Sequence, residues 1–189
     1  AISMDPKNYD RLIEIYEALA AHGYREAGQE YLQNVLDTAK QLDAYDSGRI
    51  YYYLGEYQKA YLALDEARDK GGADSYLYLG RAYAATGDYN YASSVYNNYL
   101  SKQGPNAEIY NELGLCEMAK KEYQNALAAF QAGKQIEGNS LMQTLCFNEI
   151  VAYEYLEDYQ QAEVLMNAYL QNYPDDQTAI REQQFLSTR

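Results

Sequence analysis

The chain has no tryptophan, one histidine, two cysteines and three prolines among its 189 residues. Each shortage excludes a class of function. His22 is the single histidine; no Ser-His-Asp or Cys-His set is arranged around it, and a zinc site lacks ligands. His22 stands in a turn beside Gly23, so a solvated helix-end residue is its plain reading. Cys116 and Cys146 lie on successive apolar stripes, about six residues out of register. At 1.5 Å per residue that offset is roughly 9 Å, too far for a disulfide. Two reduced, buried thiols are expected, and the redox compartment stays open. Basic side chains are also scarce: 15 Lys and Arg against 28 Asp and Glu give a net charge of −13. Both parts share the imbalance, with 8 basic and 13 acidic residues in the first 72 and 7 and 15 in the rest. A nucleic-acid partner needs a basic footprint that is missing here, and an acidic membrane surface is disfavoured for the same reason. No apolar run approaches membrane-spanning length, so no membrane insertion is expected of this segment. The chain opens at Ala1 rather than Met, so the lack of a signal peptide carries little weight.

What the sequence has in excess is tyrosine, 24 copies against three phenylalanines. Its apolar content of 48% supports one domain, residues 1–189, with a substantial core. The stretch from Ser75 to Pro105 shows how that core is patterned. Tyr76, Leu79, Gly80 and Tyr83 fall at i, i+3, i+4, i+7, one face of a helix. Gly87 can take the left-handed conformation that ends it, and Asp88 can cap the next. Tyr89, Ala92, Tyr96 and Tyr99 then form a second stripe. The result is a helix hairpin whose small residues, Gly80 and Ala92, let the two helices approach closely. Pro6 after Asp5, Pro105, and Pro174 before Asp175 and Asp176 all read as helix-start prolines.

The same turn recurs as GYREA, EYQKA, DYNYA, EYQNA and DYQQA. Their alanines at 27, 60, 92, 126 and 162 are 33, 32, 34 and 36 residues apart. A near-constant period in the thirties marks stacked helical repeats. In residues and spacing the chain resembles the tetratricopeptide repeat family: Tyr76, Leu79, Gly80, Tyr83, Gly87, Tyr89, Ala92 and Tyr96 match its pattern. The resemblance implies an all-α, right-handed superhelical solenoid of five hairpins, near 8–40, 41–72, 73–106, 107–142 and 143–176, with a capping helix over 175–187. In the capping helix Ala179, Ile180 and Phe185 should turn inward. The first hairpin is divergent: Tyr24 and Ala27 keep the turn, while Ile15 replaces the small residue. Lys70-Gly71-Gly72 should stop the second helix of the second repeat. Glu117 stands where the family has tyrosine, and Glu149-Ile150 replaces Leu-Gly, so some opening between the helices of the last repeat is expected.

No catalytic set, cofactor loop or metal site emerges; Glu154, Glu157 and Asp158 read as a solvated helix end. The glycines recur at packing and turn positions, which does not make a phosphate-cradling loop. In proteins of this kind the first helix of each repeat lines a groove for a partner's peptide or helix. By register its exposed positions would be Tyr45, Arg49, Tyr52 and Tyr53; Leu77, Tyr78 and Arg81; Asn111, Leu115 and Met118; and Phe147, Asn148, Val151 and Tyr155. Arg49 and Arg81 should lie at one height on neighbouring helices. They either receive an anionic group or pair with acids such as Asp46 and Asp74. The family's two-carboxylate clamp is missing, since Tyr45, Leu77 and Phe147 take the places of its Lys and Asn. The implied function is a non-enzymatic protein- or peptide-binding module without cofactor. Two alternatives stand beside it: a carbohydrate or small-ligand binder with a Tyr-lined groove, and a structural or oligomerisation spacer of a larger protein.

Overall fold

The computed structural model describes residues 9–39, 42–68 and 72–189, and among these it contains eleven α-helices and no strand. The helix-start reading of Pro6 and the linker residues Lys70 and Gly71 lie outside the described residues. The chain folds as two compact units, 1–86 and 87–189. The first holds α1 (Tyr9–Ala21), α2 (Arg25–Thr38), α3 (Ala44–Tyr53), α4 (Tyr57–Ala67) and α5 (Gly72–Ala85). The second holds α6 (Tyr89–Gln103), α7 (Ala107–Ala119), α8 (Tyr123–Lys134), α9 (Met142–Tyr155), α10 (Tyr159–Asn172) and α11 (Gln177–Leu186). Gly72, expected with Lys70 and Gly71 to stop the preceding helix, is the first residue of α5. Gly80 belongs to the first unit and Ala92 to the second.

Helix starts are set by short acceptor side chains. Asp43, Asp88, Asn106, Asp158 and Asp176 each accept a bond from a backbone N–H in the first turn of α3, α6, α7, α10 and α11. Such a cap contributes about 1 kcal/mol. Asn106 and Asp176 do the capping, so Pro105 and Pro174 stand outside their helices rather than in the first turn. The turns need a left-handed residue. Gly55 and Gly87 supply it at φ +79° and +86°, whereas Lys121 and Glu157 adopt φ +64° and +60° in the equivalent turns of the second unit. Side chains at such angles carry a Cβ penalty that glycine avoids.

Hairpin packing follows one rule with an instructive exception. A Cβ added at Gly48 would meet Leu64 Cγ at 2.5 Å, and one at Gly114 would collide with the ring of Phe130. α3 and α7 thus each carry a hollow for a large residue sixteen positions on, whereas α9 has Ile150 at that place. In α1/α2 the exchange is reversed. Tyr16 stands at the small position, and the hollow moves to Gly28 of α2, whose added Cβ would lie 2.9 Å from the Tyr16 ring. This shifts the register of the first repeat by one residue from the sequence reading. Gly28 takes the place given to Ala27, and Tyr16 that given to Ile15. Tyr24, at 62% exposure, stands at the N-cap of α2, not at an inward aromatic position.

The last repeat corrects a second expectation. Ile150, Ala162, Met166 and Tyr169 form a closed cluster with Ala179 and Leu186 of α11, and no gap opens between α9 and α10. Within α11 the inward residues are Ala179 and Leu186, whereas Phe185 is exposed. Both cysteines are free; Cys116 is buried and Cys146 only half-buried.

Candidate functional site

The richest side-chain cluster is in the first unit, where α1, α3 and α5 meet. Along α3, Tyr45, Arg49, Tyr52 and Tyr53 fall at helical spacing on one side. Asp10 and Glu17 of α1 are seven residues apart, two turns along one face. Tyr78 and Arg81 come from α5. The Arg49 guanidinium is 5% exposed, so its expected place on an open surface is corrected: it lies beneath the surface. Its Nη1 donates to Asp10 Oδ1 at 2.6 Å and to the Tyr45 hydroxyl at 3.0 Å. Asp46 stands 3.6 Å from Nη2, and Asp74 is reached only through the Tyr45 hydroxyl, which donates to it at 3.4 Å. The principal counter-ion is therefore Asp10, which the sequence reading missed. Helical spacing on α1 could have found it, because Leu12, Ile13 and Tyr16 turn inward and leave Asp10 and Glu17 beside them.

Aromatic rings enclose the cation. Its centre lies 4.6 Å from the Tyr45 ring and 5.9 Å from that of Tyr78, and the Arg81 guanidinium is also 5.9 Å from Tyr78. The two arginines thus share one ring, which brings them to neighbouring places as register implied. Tyr52 and Tyr53 pack edge-on to Tyr78, with centroids 5.6 and 5.9 Å away. The Tyr53 hydroxyl donates to Glu17 Oε1 at 2.5 Å and bonds the Tyr78 hydroxyl at 3.0 Å. All these rings are half-buried. Leu77 is not among them; at 3% exposure it belongs to the core.

Electrostatics follow from this burial. Desolvation works against the Arg49 charge, but Asp10 and Tyr45 outweigh it and hold the group above its ordinary pKa. Burial pushes Tyr45 up to about 12, partly opposed by Arg49. Burial, then Glu17 and Tyr78, raise Tyr53. Asp46 is pushed up to about 6 by burial and by Asp43, against the pull of Arg49.

In the second unit the candidate residues are dispersed. Asn111 is buried and accepts from Asn148 Nδ2 at 2.9 Å, so it is not an exposed groove position. Leu115 and Tyr155 are exposed, and Tyr155 stacks on Tyr123 at 5.0 Å. Met118 packs against the Ala126–Phe130 cluster, and Val151 is half-buried. Phe147 meets Tyr169 edge-on at 5.7 Å in a cleft of about 290 Å³ that Gln143, Thr144, Asn148 and Asp176 help to line.

The two carboxylates that broke the family pattern turn out to be internal. Glu117 Oε1 receives Ser93 Oγ at 2.8 Å and Lys120 Nζ at 2.7 Å. Glu149 receives Gln131 at 2.9 Å and pairs with Lys134. His22 is exposed and its Nδ1 lies 2.8 Å from the Ala18 carbonyl. Among the described residues no group of three or more His, Cys, Asp or Glu is placed to hold a metal. No helix among them is long and apolar enough to cross a membrane.

The model of the family described as tetratricopeptide repeat matches residues 45–92 and 79–139, half of the chain. The chain belongs to the tetratricopeptide repeat family. Tetratricopeptide repeats are commonly interaction scaffolds and generally not enzymes. A tetratricopeptide repeat protein of Thermus thermophilus is 16% identical, with a TM-score of 0.72 over 96% of this chain and 100% of that one. One from Parabacteroides merdae is 18% identical, with a TM-score of 0.66 over 94% of this chain and 72% of that one. The second such domain of human RPAP3, solved with an HSP70 peptide, is 17% identical at a TM-score of 0.56, covering 62% and 97%. At these identities the likeness concerns the fold: an all-α helical-repeat solenoid. No curated protein matches the chain.

Proposed function

We propose that this tetratricopeptide repeat protein is a non-enzymatic binding module for a protein or peptide, and that the face built by α1, α3 and α5 is its principal contact surface. One observation carries the reading. Tyr45, Tyr52, Tyr53 and Tyr78 gather around Arg49 and Arg81 in half-exposed positions, and of the four Tyr53 also packs on the core, against Tyr16. Tyrosine and arginine are enriched at interface centres, because they combine large contact area with few rotatable bonds or a rigid donor fork. A spacer would be favoured had the rings filled the face completely; they pack on one another yet keep exposed surface. The peptide bound by the RPAP3 domain is consistent with this mode for the fold.

The test is affinity capture from the native host with the intact chain, its Tyr52→Ala/Tyr78→Ala variant and an outer-face control, Glu163→Gln. The reading expects a partner retained by wild type and control and lost by the double variant. Equal retention by all three would remove this face from the account. A second reading, a small saccharide, is favoured by the cleft beside Phe147, where an aromatic face is ringed by amides and hydroxyls. Ligand-observed magnetic resonance with a panel of monosaccharides tests it.

A further inference from the structure

We infer that Asp10 is a resident counter-ion on a site for a partner's carboxylate, and that α1 carries an internal copy of the partner it excludes: an acidic segment with two carboxylates two helical turns apart. The inference rests on the reading of this face as a partner surface. Arg49 is 5% exposed; Asp46 stands 3.6 Å from its Nη2, beyond hydrogen-bonding distance, and the buried Nε and Nη2 have no hydrogen-bond partner. Buried donors are almost always satisfied, and a guanidinium pairs best through two parallel bonds to one carboxylate. Asp10 gives only one, at Nη1, and its side chain is 77% exposed. An exposed carboxylate holding a buried cation by a single bond is an exchangeable ligand. It stands on the solvent side, so an incoming carboxylate can take its place without disturbing Leu12, Ile13 or Tyr16, which anchor α1.

The second contact repeats the pattern. Glu17, also exposed, accepts the Tyr53 hydroxyl at 2.5 Å. Asp10 and Glu17 are separated by seven residues, about 10.5 Å along a helix. The receiving groups, Arg49 and Tyr53, are four apart on α3. A partner helix or extended segment presenting two acids at that separation would reproduce both contacts. The tyrosine rings would cover its intervening apolar residues. Because a buried charge pair gains little over its hydrated parts, exchanging one carboxylate for another is close to neutral, and the rings decide the affinity.

The probe is a fluorescein-labelled, alanine-based helical peptide with two glutamates seven residues apart, alongside a twin carrying glutamine at both places. Binding is read by anisotropy at low and high salt against wild type, Asp10→Asn, Arg49→Lys and Arg49→Gln. The expected result is that Asp10→Asn binds the diglutamate peptide about three- to tenfold more tightly than wild type. Both arginine variants bind it more weakly, Lys by less than Gln, and the glutamine twin binds none better than another. Asp10→Asn keeps an amide oxygen to accept from Nη1, and Asp46 stays beside Nη2, so the fold of that variant is checked by circular dichroism before binding is read. Unchanged or weaker binding by Asp10→Asn overturns the inference, as does equal binding of the glutamine twin or no binding at all. A captured partner lost by the Tyr52/Tyr78 variant but indifferent to Asp10→Asn would leave the binding surface standing and remove only the acidic mimic.

Discussion

Each of the two units buries charge, but with opposite sign and unequal care. In the first unit Arg49 is buried with two donors unmade, and its main partner hangs in solvent. In the second, Glu117 and Glu149 are buried with their bonds made by Ser93, Lys120, Gln131 and Lys134. A chain of net charge −13 has acids to spare for any cation, so Arg49 needs no dedicated partner. A buried acid in the same chain needs a lysine placed for it, because every other neighbour repels it. The closed pairs therefore belong to architecture, and the loosely answered arginine is the one we propose for recognition.

That contrast breaks most visibly under substitution of the partner. Lys134→Met leaves Glu149 buried and unpaired, and should cost on the order of 3 kcal/mol in urea unfolding. Adding Glu149→Leu should recover most of it. Arg49→Met removes the buried charge itself and leaves the exposed Asp10 free to hydrate, so its cost should stay below that of Lys134→Met. Equal losses from Lys134→Met and Arg49→Met would erase the distinction. The hairpin hollows come next. Gly114→Ala drives a methyl into the Phe130 ring and should cost about 1–3 kcal/mol, seen as a lower melting temperature. Gly48→Ala drives its methyl to 2.5 Å from Leu64 Cγ and 3.2 Å from the Leu64 backbone nitrogen, and should cost a similar amount. The turns give a smaller effect of either sign. Lys121→Gly should stabilise the second unit by about 1 kcal/mol, while Gly55→Ala should cost the first a similar amount, by relief or creation of left-handed strain.

The smallest expected effect is on pH dependence. In the second unit, burial and the neighbouring Glu182 push Glu154 up to about 7, so it is no plain solvated helix end. In the first unit Asp46 rises to about 6. Both pKa values lie above those of the unfolded chain, so the native state binds the extra proton. Stability rises as pH falls from about 7 towards 4.5 for Glu154, and from about 6 towards 3.8 for Asp46. Replacing Glu154 by Gln should flatten the melting-temperature profile between pH 5 and 7 more than Asp46→Asn does. An unaltered profile would detach Glu154 from the effect.

Much of the fold was legible because its determinants are local: spacing of apolar residues, small residues at crossings, and Asp or Asn before each helix. The first hairpin was misread by one position for a physical reason. Sequence comparison aligned Tyr24 with the turn tyrosines, but packing depends on which helix supplies the hollow, and here Gly28 supplies it. The candidate surface was legible only in its composition. Register placed Tyr45, Tyr52, Tyr53 and Tyr78 correctly on one side, since helical periodicity is enough for that. It could not show that Arg49 lies beneath the rings or that Leu77 turns into the core, because both depend on the tilt of α3 against α1 and α5. Asp10 was missed because it comes from a helix 39 residues away along the chain.

The exchanged hollow in α1 and α2 also bears on how such a protein can change over evolutionary time. Repeats in a solenoid are often treated as interchangeable modules. A copy of the α3–α4 hairpin put in the first place would bring its own hollow and its own leucine and would pack internally. A chimera joining α1 to α4 would set Tyr16 against a second helix with no glycine to admit it. One joining α3 to α2 would leave two hollows facing each other. The first hairpin is therefore inherited whole or not at all, and its unit of recombination is the pair of helices rather than the single helix.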